Sequence, residues 1–269
     1  MLMTRPRLAF CFFGITRSLS FTQPSIVQNL LTPARAMADV TVHAHFFDQT
    51  HIDNPRSGEI GALPQGEAAL LAPDFLETEP PDNCLQVWNY GDLKDYGDYW
   101  NTGFSNLRNL VHQLHSLDRV TQSALNSGAD IVLFARPDLT YHDSLAPALT
   151  QAFRPGAPHI WTPYWQRWKG GLNDRFALAR GETAISAWGQ RARLMHEFCG
   201  RLNAPLQAEQ LVRYALWRDQ IAFSKLDLRA TRTRLDGSKA EEDFATRPFR
   251  VYRQWGKLRR RFNETTQAH

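Results

Sequence analysis

Two short apolar runs near the N-terminus constrain the fold more than any other feature of the chain. Residues 8–13 (LAFCFF) form a continuous apolar run between Arg7 and Gly14, the pattern of a strand covered on both faces. Residues 39–47 (DVTVHAHFF) are rich in β-branched and aromatic side chains and predict a second strand. Between them, Ile26, Val27, Leu30 and Leu31 fall on one face of a helix over 24–31 that has Pro24 in its first turn. Strand, polar turn, helix and strand make a βαβ unit with a right-handed crossover.

The same alternation continues. Leu107, Leu110, Val111, Leu114, Leu117 and Val120 recur at helical spacing in a long helix over 104–126. The run IVLFA (131–135) follows as a buried strand. A short helix capped by Asp143 runs to about Phe153, and a further strand covers 159–162. Helices are expected over 183–199 and 208–217, and one or two strands within 223–235. Residues 48–82 are rich in Pro, Gly and acid and read as loops around one short helix (68–71), with a third strand at 85–88. The expected class is α/β, a single mostly parallel open sheet with helices on both faces. Ligands of such sheets bind at the carboxyl ends of the strands, so the residues just after each strand are the ones to inspect.

The 269 residues allow one large domain, here 1–245, followed by a basic segment, 246–269. That segment carries Arg247, Arg250, Arg253, Lys257, Arg259, Arg260 and Arg261, interleaved with Phe249, Val251, Tyr252, Trp255 and Leu258. It suits a basic amphipathic helix in peripheral contact with the inner face of a membrane, a solvated tail, or a helix packed on the domain. The net charge of +4 is too small to argue for a nucleic-acid partner. Cys11, Cys84 and Cys199 include no CxxC pair, so neither a zinc site nor a disulfide framework is expected, and the setting fits a cytoplasmic protein. The first apolar run is too short for a secretory signal and is closed by the charge of Arg17. His43 and His45 share a strand face, and His112 and His115 lie one helical turn apart; packing is the favoured reading over a metal site.

Three segments carry candidate chemistry. After the first strand, Gly14, Thr16 and Arg17 make a glycine turn with a hydroxyl and a guanidinium, able to meet a phosphate or a base edge. It contains neither GxGxxG nor a P-loop, so neither nucleotide fingerprint is present. After IVLFA comes Arg136-Pro137-Asp138-Leu139. A carboxylate there stands at the mouth of the sheet and can hold Mg²⁺ or Mn²⁺, while Arg136 can grip phosphate or pair with Asp138. In the third segment, WTPYWQRWKGGLNDRFALA, Gly170 and Gly171 permit close backbone approach. Asn173 and Asp174 can bond sugar hydroxyls, and Asp174 can act as a general base. Trp161, Trp165 and Trp168 serve either as core or as platforms for a ring.

Taken together, FFGxTRS, the long helix, ADIVLFARPDL, GGLNDRFALA and AEQLV resemble a group of GT-A-type glycosyltransferase-like proteins over roughly residues 7–217. In that group an Arg-x-Asp stands where other members carry an Asp-x-Asp metal motif. The resemblance implies a GT-A-like nucleotide-binding fold over 1–245. The implied activity is transfer of a sugar from a nucleotide-sugar donor to a glycan or lipid-linked acceptor hydroxyl, as in polysaccharide biosynthesis. It gives Asp138 the metal or donor contact and makes Asp138 and Asp174 the catalytic acids. Gly14, Thr16, Arg17, Arg136, Gly170, Gly171, Asn173 and Glu209 would surround the donor. With Arg136 in place of the first acid, one carboxylate holds Mn²⁺ or Mg²⁺ weakly, and metal dependence stays open. The alternative is a non-catalytic nucleotide- or carbohydrate-binding relative of the same fold.

Overall fold

The computed structural model describes residues 5–54, 58–245 and 248–264. In chain order the elements are β1 (Arg7–Gly14), α1 (Leu19–Ile26), α2 (Thr32–Met37), β2 (Asp39–Phe47), β3 (His51–Asn54), β4 (Glu59–Ala62) and β5 (Phe75–Glu79). Then come α3 (Asn83–Val87), α4 (Tyr90–Asp95), α5 (Ser105–Asn126), β6 (Ile131–Ala135), β7 (Leu139–Tyr141), α6 (Ala146–Ala152), β8 (His159–Thr162) and β9 (Ala177–Arg180). The chain closes with α7 (Glu182–Gly189), α8 (Met195–Leu202), α9 (Ala208–Arg218), β10 (Ala222–Lys225), β11 (Ala230–Arg232) and α10 (Pro248–Glu264).

Seven strands form the central sheet in the order β10-β8-β9-β6-β1-β2-β5. β1 pairs in parallel with β2 and β6, β2 with β5, and β8 with β10. Only β9 runs the other way, antiparallel to both β6 and β8. The sheet is thus open and mostly parallel, as expected. The residues of β1 alternate between two cores. Leu8, Phe10 and Phe12 pack with α1, α2 and α6 on one face, and Ala9, Cys11 and Phe13 pack with α5, α7 and α9 on the other. Burial on both faces is why β1 and β6 are apolar throughout.

Several expectations are corrected. The third strand of the sheet is Phe75–Glu79, inside the stretch taken for loops, which also contains the β3–β4 hairpin. Residues 83–87 are helical, not a strand. The first helix starts at Leu19, so Pro24 lies inside it, and a π-helical stretch, Val27–Leu31, joins it to α2. The single helix expected over 183–199 is broken after Gly189, which presses on Thr121 and Phe134 where a Cβ would overlap them. Asp143 does not cap α6; its carboxylate takes the backbone N–H and guanidinium of Arg229.

The basic C-terminal segment is docked on the body. Leu258 and Phe262 of α10 are buried in a third core with Tyr214, Phe198 and Leu202, and the Phe262 carbonyl accepts from Arg201 (2.9 Å from Nε). Leu258 and Phe262 therefore face protein, while Arg253, Lys257, Arg259, Arg260 and Arg261 are exposed. Arg247 and the side chains of Phe249, Arg250, Val251 and Tyr252 lie outside the described residues. Among the described residues no helix is long and apolar enough to cross a membrane. Phe262→Ala should cost about 3–5 kcal/mol, the usual range for emptying a buried aromatic site. Urea unfolding would show this as a lower midpoint, whereas an undocked tail would leave the midpoint unchanged.

Candidate active site

The topology collects functional side chains along one edge of the sheet. β1 and β6 end there, delivering Gly14 and Arg17 from the first and Arg136 and Asp138 from the second. Because β9 runs backwards, the residues that precede it, Asp174 and Arg175, reach the same edge. β11 pairs with β7 so that Arg232 lies opposite Leu139, one residue past Asp138. Helix α9 presents Glu209 from its first turn. All eight of these residues line one open cavity of about 540 Å³.

Asp138 is the electrostatic centre. It is buried, and both carboxylate oxygens accept from guanidinium groups. Arg136 Nε donates to Oδ1 (2.9 Å), Arg136 Nη2 donates to Oδ2 (2.7 Å), and Arg17 Nη2 donates to Oδ2 in a shorter contact. Burial alone would raise the Asp138 pKa, but the two guanidinium charges hold it well below the usual carboxylate range. Arg17 is shared with buried Glu59 at 3.1 Å, and Glu59 also accepts the backbone N–H of Leu235. Arg136 reaches Gln113 of α5 (3.0 Å), whose amide donates to Asp174 (3.2 Å). Gln113 thereby links the cationic side of the cavity to its acidic side.

On that acidic side, Glu209 is pushed up to about 8. Burial is the main cause and the neighbouring Asp174 carboxylate adds to it, while Gln207, which donates to Glu209, opposes it. At neutral pH Glu209 holds its proton most of the time. The pair offers an acceptor (Asp174) and a proton carrier (Glu209) to the same space, the complementary roles that proton transfer needs. Arg191, fully buried against the Trp188 ring at 4.2 Å, sits behind them and interacts electrostatically with both acids. At the mouth, Trp100 and Trp168 are about half exposed.

Gly14, Arg17, Arg136, Asp138, Asp174 and Glu209 come together in the cavity, while Thr16, Gly170, Gly171 and Asn173 are not among its lining residues. The glycines face protein. A Cβ on Gly171 would overlap the Glu209 carbonyl, and one on Gly170 would overlap the backbone of Gln254 in α10. Asn173 is fully buried; its amide donates to the Trp165 carbonyl (3.0 Å) and its Oδ1 accepts from Arg175 N (2.9 Å), which fixes the approach to β9. Trp161 and Trp165 belong to the core. Glu59, Gln113, Arg175, Arg191 and Arg232 were not singled out by the sequence. Of these, only Arg175, beside Asp174 in the GGLNDRFALA segment, lay next to a motif that could have found it.

The histidines form a separate cluster. His45, His115 and Glu79 bring one ligand atom each within 4.8 Å of one another. Trp88 Nε1–H donates to His115 Nδ1 (2.9 Å), and an indole N–H cannot accept. With Nδ1 taken up as the acceptor, the ring proton belongs on Nε2, the atom facing Glu79, which leaves no lone pair there for a metal. His45 Nδ1 meets Ser116 Oγ (3.0 Å), which also accepts the Gly14 N–H (2.8 Å), so the cluster braces the end of β1.

No protein-family model matches the chain, and no curated protein matches it in sequence. Solved structures do. Mouse xyloside xylosyltransferase 1 in its apo form is 11% identical, over 82% of this chain and 85% of that one, with a TM-score of 0.43. The galactosyltransferase LgtC, in complex with donor and acceptor sugar analogues, is 12% identical over 81% of this chain and 73% of that one, with a TM-score of 0.38. A Bacillus anthracis protein described as a glucose-1-phosphate thymidylyltransferase, in complex with sucrose, is 9% identical over 96% and 99%, with a TM-score of 0.40.

Two outcomes follow for stability. Asp138→Asn leaves buried Arg17 and partly buried Arg136 without their shared counter-charge and should cost about 3–5 kcal/mol, measured by denaturant unfolding at pH 7. The Asp138 pKa is depressed on folding, so its contribution is present above the unfolded value near 4 and is lost as pH falls below it; the gap between wild type and variant should narrow in acid. Glu209 has the opposite sign. Its raised value favours the fold below about 4.5 and that advantage disappears as pH rises through about 8. Glu209→Gln should therefore flatten the fall in thermal midpoint between those pH values.

Proposed function

We propose that this chain is a glycosyltransferase that moves a sugar from a nucleotide-sugar donor to the hydroxyl of a glycan or lipid-linked acceptor. One observation carries the reading. A single cavity at the carboxyl ends of the central strands has guanidiniums clustered around Asp138 on one side and the Asp174–Glu209 pair on the other. A sugar diphosphate needs both. Its phosphates gain negative charge as the bond to the sugar breaks, and guanidinium forks match phosphate oxygens. Its acceptor must lose a proton, and Asp174 is the carboxylate placed to take it.

In this reading Arg136 stabilises the departing diphosphate while Asp138 fixes its guanidinium plane. Glu209, protonated at neutral pH, donates a hydrogen bond to the sugar. Gln113 keeps Arg136 and Asp174 in register across the cavity. Trp100 and Trp168 supply faces for sugar rings at the mouth. The family's divalent metal would fall to Asp138, but its oxygens are already occupied by Arg136 and Arg17, so no step is assigned to one. A second reading, a binding protein of this fold without turnover, is favoured by that same occupation of the only acid in the Arg-Pro-Asp-Leu turn.

The test is a screen of nucleotide sugars for donor hydrolysis or transfer, with thermal shift as the binding readout. Binding of one donor together with release of its nucleoside diphosphate is the expected result. Asp174→Asn should then lower the rate by roughly 10²–10⁴-fold, the range for losing a general base, with little change in the donor-induced thermal shift. Binding without release by wild type would select the non-catalytic reading.

A further inference from the structure

Four guanidiniums line the cavity: Arg17, Arg136, Arg175 and Arg232. Three have carboxylate partners. Arg17 pairs with Glu59 and Asp138, Arg136 with Asp138, and Arg175 with Glu242 at 2.6 Å. Arg232 has none among the described residues. Its Nε is buried without a hydrogen-bond partner; burial and the nearby charges of Arg136, Arg17 and Arg175 push it down to about 10, against the opposing pull of the Asp138 carboxylate, which is already paired with Arg17 and Arg136. Its position is fixed by the backbone. β11 pairs with β7, Thr233 N donates to the Asp138 carbonyl (2.8 Å), and Ala240 N donates to the Arg232 carbonyl (2.8 Å).

A half-buried cation held among three others, with no acid of its own, is costly unless something negative joins it. The same place does not suit a divalent cation. Mg²⁺ and Mn²⁺ need several oxygen ligands, and the Asp138 oxygens already receive guanidinium N–H groups from two residues. Among the described residues, no three carboxylate or imidazole groups gather around the cavity within a metal's reach.

We infer that Arg232 is the anion-binding residue of this site, receiving a diphosphate directly beside the Arg17–Asp138–Arg136 cluster with no divalent cation between them. The nature of the anion, a nucleoside diphosphate, rests on the transferase reading. The guanidinium arrangement stands without it. Arg232 then does by hydrogen bonding and charge what a bound metal does elsewhere, and Asp138 serves as the fixed counter-ion that keeps Arg17 and Arg136 aimed at the same space.

Isothermal titration of the full-length protein with inorganic pyrophosphate, in buffer containing EDTA, tests this. Wild type should bind pyrophosphate in EDTA, and Mg²⁺ or Mn²⁺ in place of EDTA should not tighten it. Arg232→Gln should weaken binding at least tenfold while its thermal midpoint holds or rises, since a repelled charge has been removed. Arg232→Lys, which keeps the charge but loses the fork, should fall between the two. Binding that requires the metal, no binding under either condition, or equal binding by wild type and both variants would overturn the inference. If Arg232→Gln does not fold, Arg232→Lys and the EDTA arm still decide. Titrating nucleoside diphosphates separates the two ideas. Pyrophosphate binding that depends on Arg232, with no gain from any nucleoside, would sink the donor reading and leave the anion site. Tight nucleoside diphosphate binding indifferent to Arg232 would do the reverse.

Discussion

Asp138 buried between two guanidiniums is the interaction on which the site depends. A lone buried carboxylate would be driven to protonate, and a lone buried arginine would lose its partner's field; together they stay ionised. The arrangement ties distant parts of the chain to one point. Arg17 comes from the turn after β1, Arg136 from the end of β6, and Glu59 from the β3–β4 hairpin. The hairpin that the sequence offers only as Pro- and Gly-rich loop is thus the outer wall of the cluster, and Glu59 is the counter-charge that lets Arg17 reach inward.

The reversed strand matters as much as the charges. Were β9 parallel to its neighbours, Asp174 and Arg175 would enter the sheet at the opposite edge, away from Asp138. Asn173 and the two glycines bring about the reversal. Asn173 saturates its amide on the backbone on either side, and Gly171 allows the strand approach to lie directly on the first turn of α9, where Leu172 N donates to the Glu209 carbonyl (2.9 Å). The close approach at those glycines is to protein and not to a ligand: Gly171 lies on the helix carrying Glu209, and Gly170 lies on α10.

The sequence made the core strands legible because burial on both faces writes itself as an uninterrupted apolar run, as in LAFCFF and IVLFA. It also made Arg136, Asp138 and Asp174 legible, since they follow or precede such runs. It hid β5, an edge strand whose Phe75 and Leu76 are largely exposed and whose other residues are polar. Residues 85–88 misled for the converse reason: Leu85, Val87 and Trp88 look like a strand, yet Cys84 is the buried residue of that helix and Val87 points to solvent. Arg232 and Glu59 had no local signal at all. Their roles come from pairing with partners 93 and 42 positions away, through a β7–β11 register and an ion pair that no window of sequence contains.

Composition left the basic C-terminal segment open between a membrane surface, a solvated tail and a helix packed on the domain, and the described residues of α10 are packed on the domain. Charge and apolar residues do separate along α10, but Leu258 and Phe262 fill a core with α8 and α9. That docking touches the site through the backbone. Gly170 fits against Gln254 only because it has no Cβ, the Gly170 carbonyl accepts from Arg213 (3.3 Å), and Arg213 lies over the Trp255 ring at 4.3 Å. Residue 170 begins the segment that ends in Asp174 and Arg175. The helix is therefore a buttress for the loop that positions the proposed base, and loosening it should shift Asp174 relative to Glu209 before it disturbs the central sheet.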